Sequence, residues 1–180
     1  MSRLRWEEAA IAPTHDRASF DSGEADLDTY LQRYARQNHA SGGAKCFVAV
    51  PVEQPTRVLG FYTLSPASLA YARTPAVVRK GLARYEVPVF RLGRLAVDQT
   101  VQGRGLGGGL LLCAASRCLR VAEEVGGVAL LIDAKSDRAA AWYASYGAQP
   151  LEDAPLSLVF PLAVAARAIQ RAGQVSSSPD

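Results

Sequence analysis

The sequence predicts an α/β fold, a central twisted mixed sheet with helices on both faces. Three observations predict it. Two short strand-type segments, residues 46–52 and 57–64, flank the turn Glu53-Gln54-Pro55-Thr56 and read as an antiparallel hairpin. Later in the chain, strand and helix patterns alternate, the mark of right-handed crossovers between parallel strands. Between these regions residues 91–112 read RLGRLAVDQTVQGRGLGGGLLL: an apolar strand, a glycine-rich loop and a long apolar-periodic helix. With 180 residues, 49 % of them apolar, the chain has enough interior for one sizeable core. A single domain is expected over 1–172. Residues 173–180, with three serines and a proline, are expected to form a disordered tail.

The elements follow in order. Residues 3–11 form a first strand, ended by Pro13. Phe20-Asp21-Ser22-Gly23 is a turn, and Asp21, Ser22 and Asp26 are candidate caps for a helix over 24–39. Along that helix Leu27, Tyr30, Leu31, Tyr34 and Ala35 recur at i, i+3, i+4 spacing, and Ser41-Gly42-Gly43 stops it. After the hairpin, Ser65-Pro66 is expected to end the strand. Residues 67–86 read equally as a short helix opened by Pro75 and as a substrate-facing loop. Residues 88–97 are a strand, 106–125 a helix closed by Gly126-Gly127, and 128–132 a buried-type strand ending at Asp133. A helix over 136–146 is stopped by Gly147, a last strand covers 156–160, and residues 162–172 have helical composition. No internal repeat is present.

Net charge is +3 but unevenly spread: −4 over residues 1–30, +8 over 31–104 and −1 over 105–180. A basic middle suits a polyanionic partner, although scattered solvated arginines would give the same count. No apolar stretch approaches a membrane span, and Arg3, Arg5, Glu7 and Glu8 interrupt any signal-peptide pattern, so a cytoplasmic protein without a membrane partner is expected. Cys46, Cys113 and Cys118 are odd in number and lack metal-ligand spacing; they read as buried free thiols in a reducing compartment, with no metal.

Strand, glycine loop and helix N-terminus together make an anion-binding cradle, because glycines let the backbone approach a phosphate and the first-turn N–H groups point at it. Gly103, Gly105 and Gly108 formally satisfy G-x-G-x-x-G. A dinucleotide fold is disfavoured: the motif follows hairpins instead of opening a domain, and only 47 residues remain after Asp133. No Lys-Ser or Lys-Thr follows the glycines, which excludes a Walker-type loop. A purely structural glycine turn is the remaining alternative.

Leu95-Ala96-Val97-Asp98 followed by Gln102-Gly103-Arg104-Gly105-Leu106-Gly107 resembles the acetyl-coenzyme A loop of the GCN5-related N-acetyltransferases, Gln/Arg-x-x-Gly-x-Gly/Ala after a strand ending in Val-Asp. Ala139-Ala140-Ala141-Trp142-Tyr143-Ala144-Ser145-Tyr146-Gly147 resembles their later A-x-x-(F/L)-Y-x-x-x-G segment. Across nearly the whole chain, Phe20-Asp21-Ser22-Gly23, Leu27-Asp28 with Tyr30-Leu31, Gly60-Phe61-Tyr62-Thr63-Leu64-Ser65 and Asp133-Ala134-Lys135 resemble the acetyltransferase toxins of toxin–antitoxin modules. That resemblance implies a sheet of about six to seven strands in the N-acetyltransferase fold. It implies an enzyme that acetylates the α-amino group of aminoacyl-tRNA, blocks translation, and is neutralised by a ribbon-helix-helix antitoxin, and a homodimer. Two positions depart from the family: Ser136 stands where Asn is frequent, and Ala148 follows Gly147 where Phe is usual.

Transfer of acetyl from acetyl-coenzyme A to an amine sets the candidate roles. The backbone of residues 103–108, which includes Gly107 and Gly108, with Gln102 and Arg104, suits the pyrophosphate. By resemblance, Leu95, Ala96 and Val97 pair with the pantetheine arm and donate to the developing oxyanion, which requires their strand to splay from its neighbour; Ser136 and Ala139 are further cofactor contacts. Tyr143 is by resemblance the acid that serves the leaving thiolate; at helical spacing beside Trp142 and Tyr146 it also reads as a core aromatic. His15 and His39 lie far from the motifs in sequence and are expected at surface or helix-end positions. An α-amino group, with a pKa near 7.7–8.0, needs less help from a base than a lysine near 10.4. Phosphate contacts of a tRNA would fall to Arg33, Arg36, Arg79, Lys80, Arg84, Arg91 and Arg94, with Lys45 and Arg73 as further candidates; Arg94 equally suits a buried place beside the cofactor strand. Two other readings compete: acetylation of a small amine or a protein N-terminus, and a catalytically silent coenzyme A-binding partner of a DNA-binding protein.

Overall fold

The computed structural model describes residues 3–177. Its strands are β1 (Trp6–Ala10), β2 (Lys45–Pro51), β3 (Gly60–Leu69), β4 (Val87–Val97), β5 (Ala129–Asp133), β6 (Gln149–Pro150) and β7 (Ser157–Pro161). They form one mixed seven-stranded sheet in the order β1-β2-β3-β4-β5-β7-β6. The helices are α1 (Ala25–Arg33), α2 (Ala35–Ser41), α3 (Ala76–Arg79), α4 (Leu106–Val125), α5 (Asp137–Ser145) and α6 (Leu162–Ser177). As expected, antiparallel pairing comes first: Trp6↔Pro51 to Ala10↔Phe47, then Lys45↔Leu64 to Ala49↔Gly60. The parallel pair β4–β5 follows, with α4 as its crossover.

The chain divides into two compact units, Met1–Ser65 with Gly93–Cys113, and Pro66–Leu92 with Ala114–Asp180. In the first unit, Phe20, Tyr30, Leu31 and Ala35 pack against Val48, Phe61 and Ala96. The Phe20 and Phe61 rings meet edge-on at 5.6 Å, and Tyr30 stacks on Phe61 at 6.4 Å. Each such buried side chain stabilises by about 1.5–3 kcal/mol. The single helix expected over 24–39 is two helices. Tyr34, at φ −120° and ψ −28°, breaks the ladder and carries its ring into solvent, while Ala35 is fully buried. Glu24 occupies the N-cap without a side-chain bond, so the expected caps do other work: Ser22 Oγ donates to Asp28 Oδ1 at 2.6 Å and accepts from the Glu24 N–H.

The core of the second unit joins Leu69, Val78, Val87 and Val89 to Ala129, Leu131, Leu151 and Val159. β3 does not end at Ser65-Pro66 but runs on to Leu69. The reason is register: β2 begins at Lys45, opposite Leu64, so beyond that point β3 has no β2 neighbour and a proline forfeits no ladder bond on that edge. Residues 67–86 hold the end of β3, a 3₁₀ turn at Tyr71–Arg73 and the one-turn α3 after Pro75. The two-residue β6, paired with β7, was not expected. α6 passes the expected end at residue 172 and continues to Ser177, where a disordered tail was expected; residues 178–180 lie outside the described residues.

Candidate functional site

β4 pairs with β5 only at Phe90↔Leu130, Arg91↔Leu131 and Leu92↔Ile132, yet it continues to Val97. Residues 93–97, which include Leu95, Ala96 and Val97, therefore lie beyond the last β4–β5 pair. Asp98 ends the strand and is 6 % exposed. Its Oδ2 accepts from the Asp21 N–H at 3.0 Å, and its Oδ1 accepts from the Thr100 N–H at 3.0 Å and Thr100 Oγ1 at 2.6 Å. Burial alone would raise its pKa. The bonds from Thr100 and Asp21, with the Arg57 charge, outweigh that and hold the carboxyl below its ordinary value. Gln102 acts as a clamp: its amide donates to the Val97 carbonyl at 2.9 Å and to the Ser22 carbonyl at 3.0 Å. Gln99 adds two bonds to Asp21, from its N–H to the carbonyl at 2.8 Å and from Nε2 to Oδ1 at 3.0 Å. The turn at 21–23 thus braces the strand–loop junction, a role that no local spacing signals.

Gly103 and Gly105 take φ of +76° and +82°, the left-handed region that glycine enters at little cost, and a Cβ at either would meet nothing within 4 Å. The loop is an open cradle of the kind a phosphate fills. Gly109 N–H donates to the Gly105 carbonyl at 3.1 Å as the first bond of α4. The N–H groups of Leu106, Gly107 and Gly108 therefore have no intrahelical acceptor, and they sit at the positive end of a 20-residue helix. Leu106 is buried. A Cβ on Gly60 would lie 2.8 Å from Leu110 and 2.9 Å from the Ala96 carbonyl, so only glycine lets the helix start seat this closely on the strands. Arg104 is exposed beside the cradle. These residues fit a diphosphate-bearing cosubstrate.

In the second unit Ser136 caps α5, its Oγ accepting from the Ala139 N–H at 3.1 Å, so the departure from Asn keeps the cap. Ala148 is buried. Tyr143 is 9 % exposed, and burial pushes its phenol up to about 12. The Tyr143 hydroxyl makes no hydrogen bond among the described residues, and its ring meets Trp142 edge-on at 4.9 Å. Its carbonyl accepts from the Tyr146 and Ala148 N–H groups and so closes the helix.

The candidate cations separate into engaged and free. Arg91 pairs with Asp133, whose other oxygen accepts from Ser157 Oγ. Arg73 pairs with Asp153 at 2.7 Å. Arg79 lies over the Tyr71 ring and Arg94 over the Tyr30 ring, 5.1 and 3.5 Å from the centroids, and Lys45 Nζ donates to the His39 carbonyl. Arg33, Arg36, Lys80 and Arg84 are exposed, with no side-chain hydrogen bond or ion pair among the described residues. His39 is at a helix end as expected, accepting from the Cys46 N–H. His15 is not at the surface: it is buried, accepts from the Ala12 N–H, and desolvation lowers its pKa. The three cysteines are free; Cys46 and Cys118 are buried and pushed up to about 12 by desolvation, and Cys113 is half-buried. No metal-binding group of His, Cys, Asp or Glu occurs among the described residues, nor any helix long and apolar enough to cross a membrane.

No family model matches the chain. It is 42 % identical over 149 residues to a tRNA-acetylating toxin of Mycobacterium tuberculosis, a match covering 83 % of this chain and 87 % of that protein. Among solved structures, a Tyr→Phe variant of the protein KacT superposes with a TM-score of 0.84 at 27 % identity, over 91 % of this chain and 99 % of that one. The protein AtaT, complexed with acetyl-methionyl-tRNAfMet, superposes with a TM-score of 0.82 at 25 % identity, over 92 % and 97 % of the two chains.

Proposed function

The chain belongs to the tRNA-acetylating toxin family of GCN5-related N-acetyltransferases, and from that membership we propose that it acetylates the α-amino group of aminoacyl-tRNA and so blocks translation. The observation that carries this is the 42 % identity to a tRNA-acetylating toxin over 83 % of the chain. Acetyl-coenzyme A supplies the activated acetyl thioester. The open loop at 103–108 and the free N–H groups of Leu106, Gly107 and Gly108 hold its diphosphate, with Arg104 adding charge. Leu95, Ala96 and Val97 present backbone groups, beyond the end of β5, that orient the thioester arm and polarise its carbonyl. Ser136 and Ala139 set the start of α5 and, four residues on from Ala139, the placement of Tyr143.

Tyr143 Oη holds a proton for the leaving sulfur. With its pKa near 12 it stays neutral throughout the working range. Complete transfer to a thiolate, whose thiol titrates near 8.5, is uphill by about 3–4 pK units, so Tyr143 stabilises by hydrogen bonding. The amine supplies the proton that is finally needed. A neutral α-amino group with an ester neighbour is already abundant near pH 7.5, which makes a strong base unnecessary.

Three further points belong to this proposal. The partner is a ribbon-helix-helix antitoxin, and the toxin is a cytoplasmic homodimer. A single catalytic domain over 1–172 completes the reading. The test incubates a total charged-tRNA pool with acetyl-coenzyme A and reads acetylation per amino acid. Acetylation of one or a few aminoacyl-tRNAs is the expected result; a pool left untouched by folded, coenzyme A-binding protein overturns the reading.

A further inference from the structure

We infer that Tyr85, on the same exposed segment as Lys80 and Arg84, is a stacking platform for the single-stranded 3′ end of the charged tRNA. The inference rests on the tRNA reading above and adds how that substrate is gripped.

Tyr85 is 79 % exposed, the most exposed large apolar side chain among the described residues. It contributes almost nothing to the core, yet the segment around it is held firmly. Leu82 packs on the core of the second unit, and Val87, the first residue of β4, is buried within it. The Leu82 N–H donates to the Arg79 carbonyl at 2.9 Å, and the Tyr85 N–H donates to the Ala83 carbonyl at 2.8 Å. An aromatic ring is thus set out into water between two anchored positions. At its foot lies a concavity of about 190 Å³ formed by Leu82, Ala83, Tyr85, Glu86, Val87 and Pro88.

Charge selects the occupant. Lys80 and Arg84 are exposed and lack partners among the described residues, whereas Arg79 is occupied by the Tyr71 ring and carbonyl. Exposed cations and an exposed aromatic on one short segment are the elements that grip unpaired nucleotides: the cations meet phosphates and the ring stacks on a base. The end of a tRNA that bears the amino acid is unpaired, and it must lie on the enzyme for its α-amino group to react. Glu86 is the acidic group of this segment, available to accept from a base amino group.

The test measures steady-state acetylation of the charged tRNA that the wild type prefers, using Tyr85→Ala, Tyr85→Phe and Tyr85→Leu. Loss of one stacked base raises KM for charged tRNA about 5- to 150-fold in the Ala and Leu variants, with kcat retained, because stacking binds ground and transition states alike. Phe restores the wild-type KM and Leu does not, which separates stacking from simple burial. Lys80→Ala with Arg84→Ala lowers the slope of log affinity against log salt by about 1.4. Thermal melts of the variants match the wild type, given the exposure of these side chains. An unchanged KM in Tyr85→Ala, where the wild type acetylates charged tRNA, overturns the platform and leaves the toxin reading standing. A shift of Tyr85→Ala from dimer to monomer in sedimentation, with KM unchanged, assigns the ring to a subunit interface and also overturns it. A wild type that acetylates no charged tRNA overturns both.

Discussion

Replacing Asp98 with asparagine tests how the strand–loop junction is built. In the wild type one carboxylate oxygen accepts from the Thr100 N–H and hydroxyl, and the other from the Asp21 N–H. Asparagine keeps one acceptor and turns the other into a donor, so in either orientation a donor faces a donor at a site only 6 % exposed. A hydrogen bond to a charged group nets about 1.5–3 kcal/mol, and a buried donor left unpaired costs about 1–3 kcal/mol. We expect Asp98→Asn to lose about 3 kcal/mol at pH 7. For a chain of this size that lowers Tm by about 6–12 °C. The pH dependence has a fixed sign. The folded pKa lies below the ordinary 3.8, so the stabilisation is fully present above the unfolded value and is lost as pH falls through the folded one. The gap between wild type and variant therefore narrows below about pH 4. Circular dichroism melts at pH 7, 5 and 3.5 measure it. An unchanged Tm at pH 7, or a gap of equal size at pH 3.5, would refute the reasoning.

Tyr143→Phe keeps the ring contacts and removes the proton, so kcat for acetyl transfer falls about a hundredfold or more with the melt preserved; an unchanged kcat returns Tyr143 to the core. The plot of kcat/KM against pH rises through a single ionisation at or below about 8 and stays level to about pH 10. A tyrosine near 12 is still protonated there, and a falling limb near pH 9 would contradict the role given to Tyr143. Gly105→Ala places a Cβ where φ is +82° and no neighbour lies within 4 Å, so it costs about 1–2 kcal/mol through the backbone alone and raises KM for acetyl-coenzyme A, both read from melts and steady-state rates. Activity survives exhaustive chelation, since no step relies on a metal; a loss restored by one divalent ion would reverse that statement.

The sequence by itself determined the strand, glycine loop and helix from Leu92 to Val125. These depend on local rules: apolar periodicity, glycines where φ must be positive, and helix-stopping Gly126-Gly127. α4 accordingly spans Leu106–Val125 as expected. The helix over 136–146 was legible for the same reason, whereas the Ser136 cap at its start appears only in the structure. Where tertiary pairing intervened, local rules failed. Pro66 reads as a strand end, yet β3 continues because its β2 neighbour has run out. The helix over 24–39 reads as continuous, yet it breaks at Tyr34 while Ala35 enters the core. Only the tertiary structure decided how the site is braced and which charges are free. Asp98 reaches Asp21, Gln102 reaches Ser22 and Arg73 reaches Asp153 across 77 to 80 residues of chain. Tyr143 becomes a weak acid because burial removes its water. Such contacts depend on strand register and desolvation, which arise only when distant segments pack, whereas a glycine's dihedral or a helix's periodicity is set within a few residues.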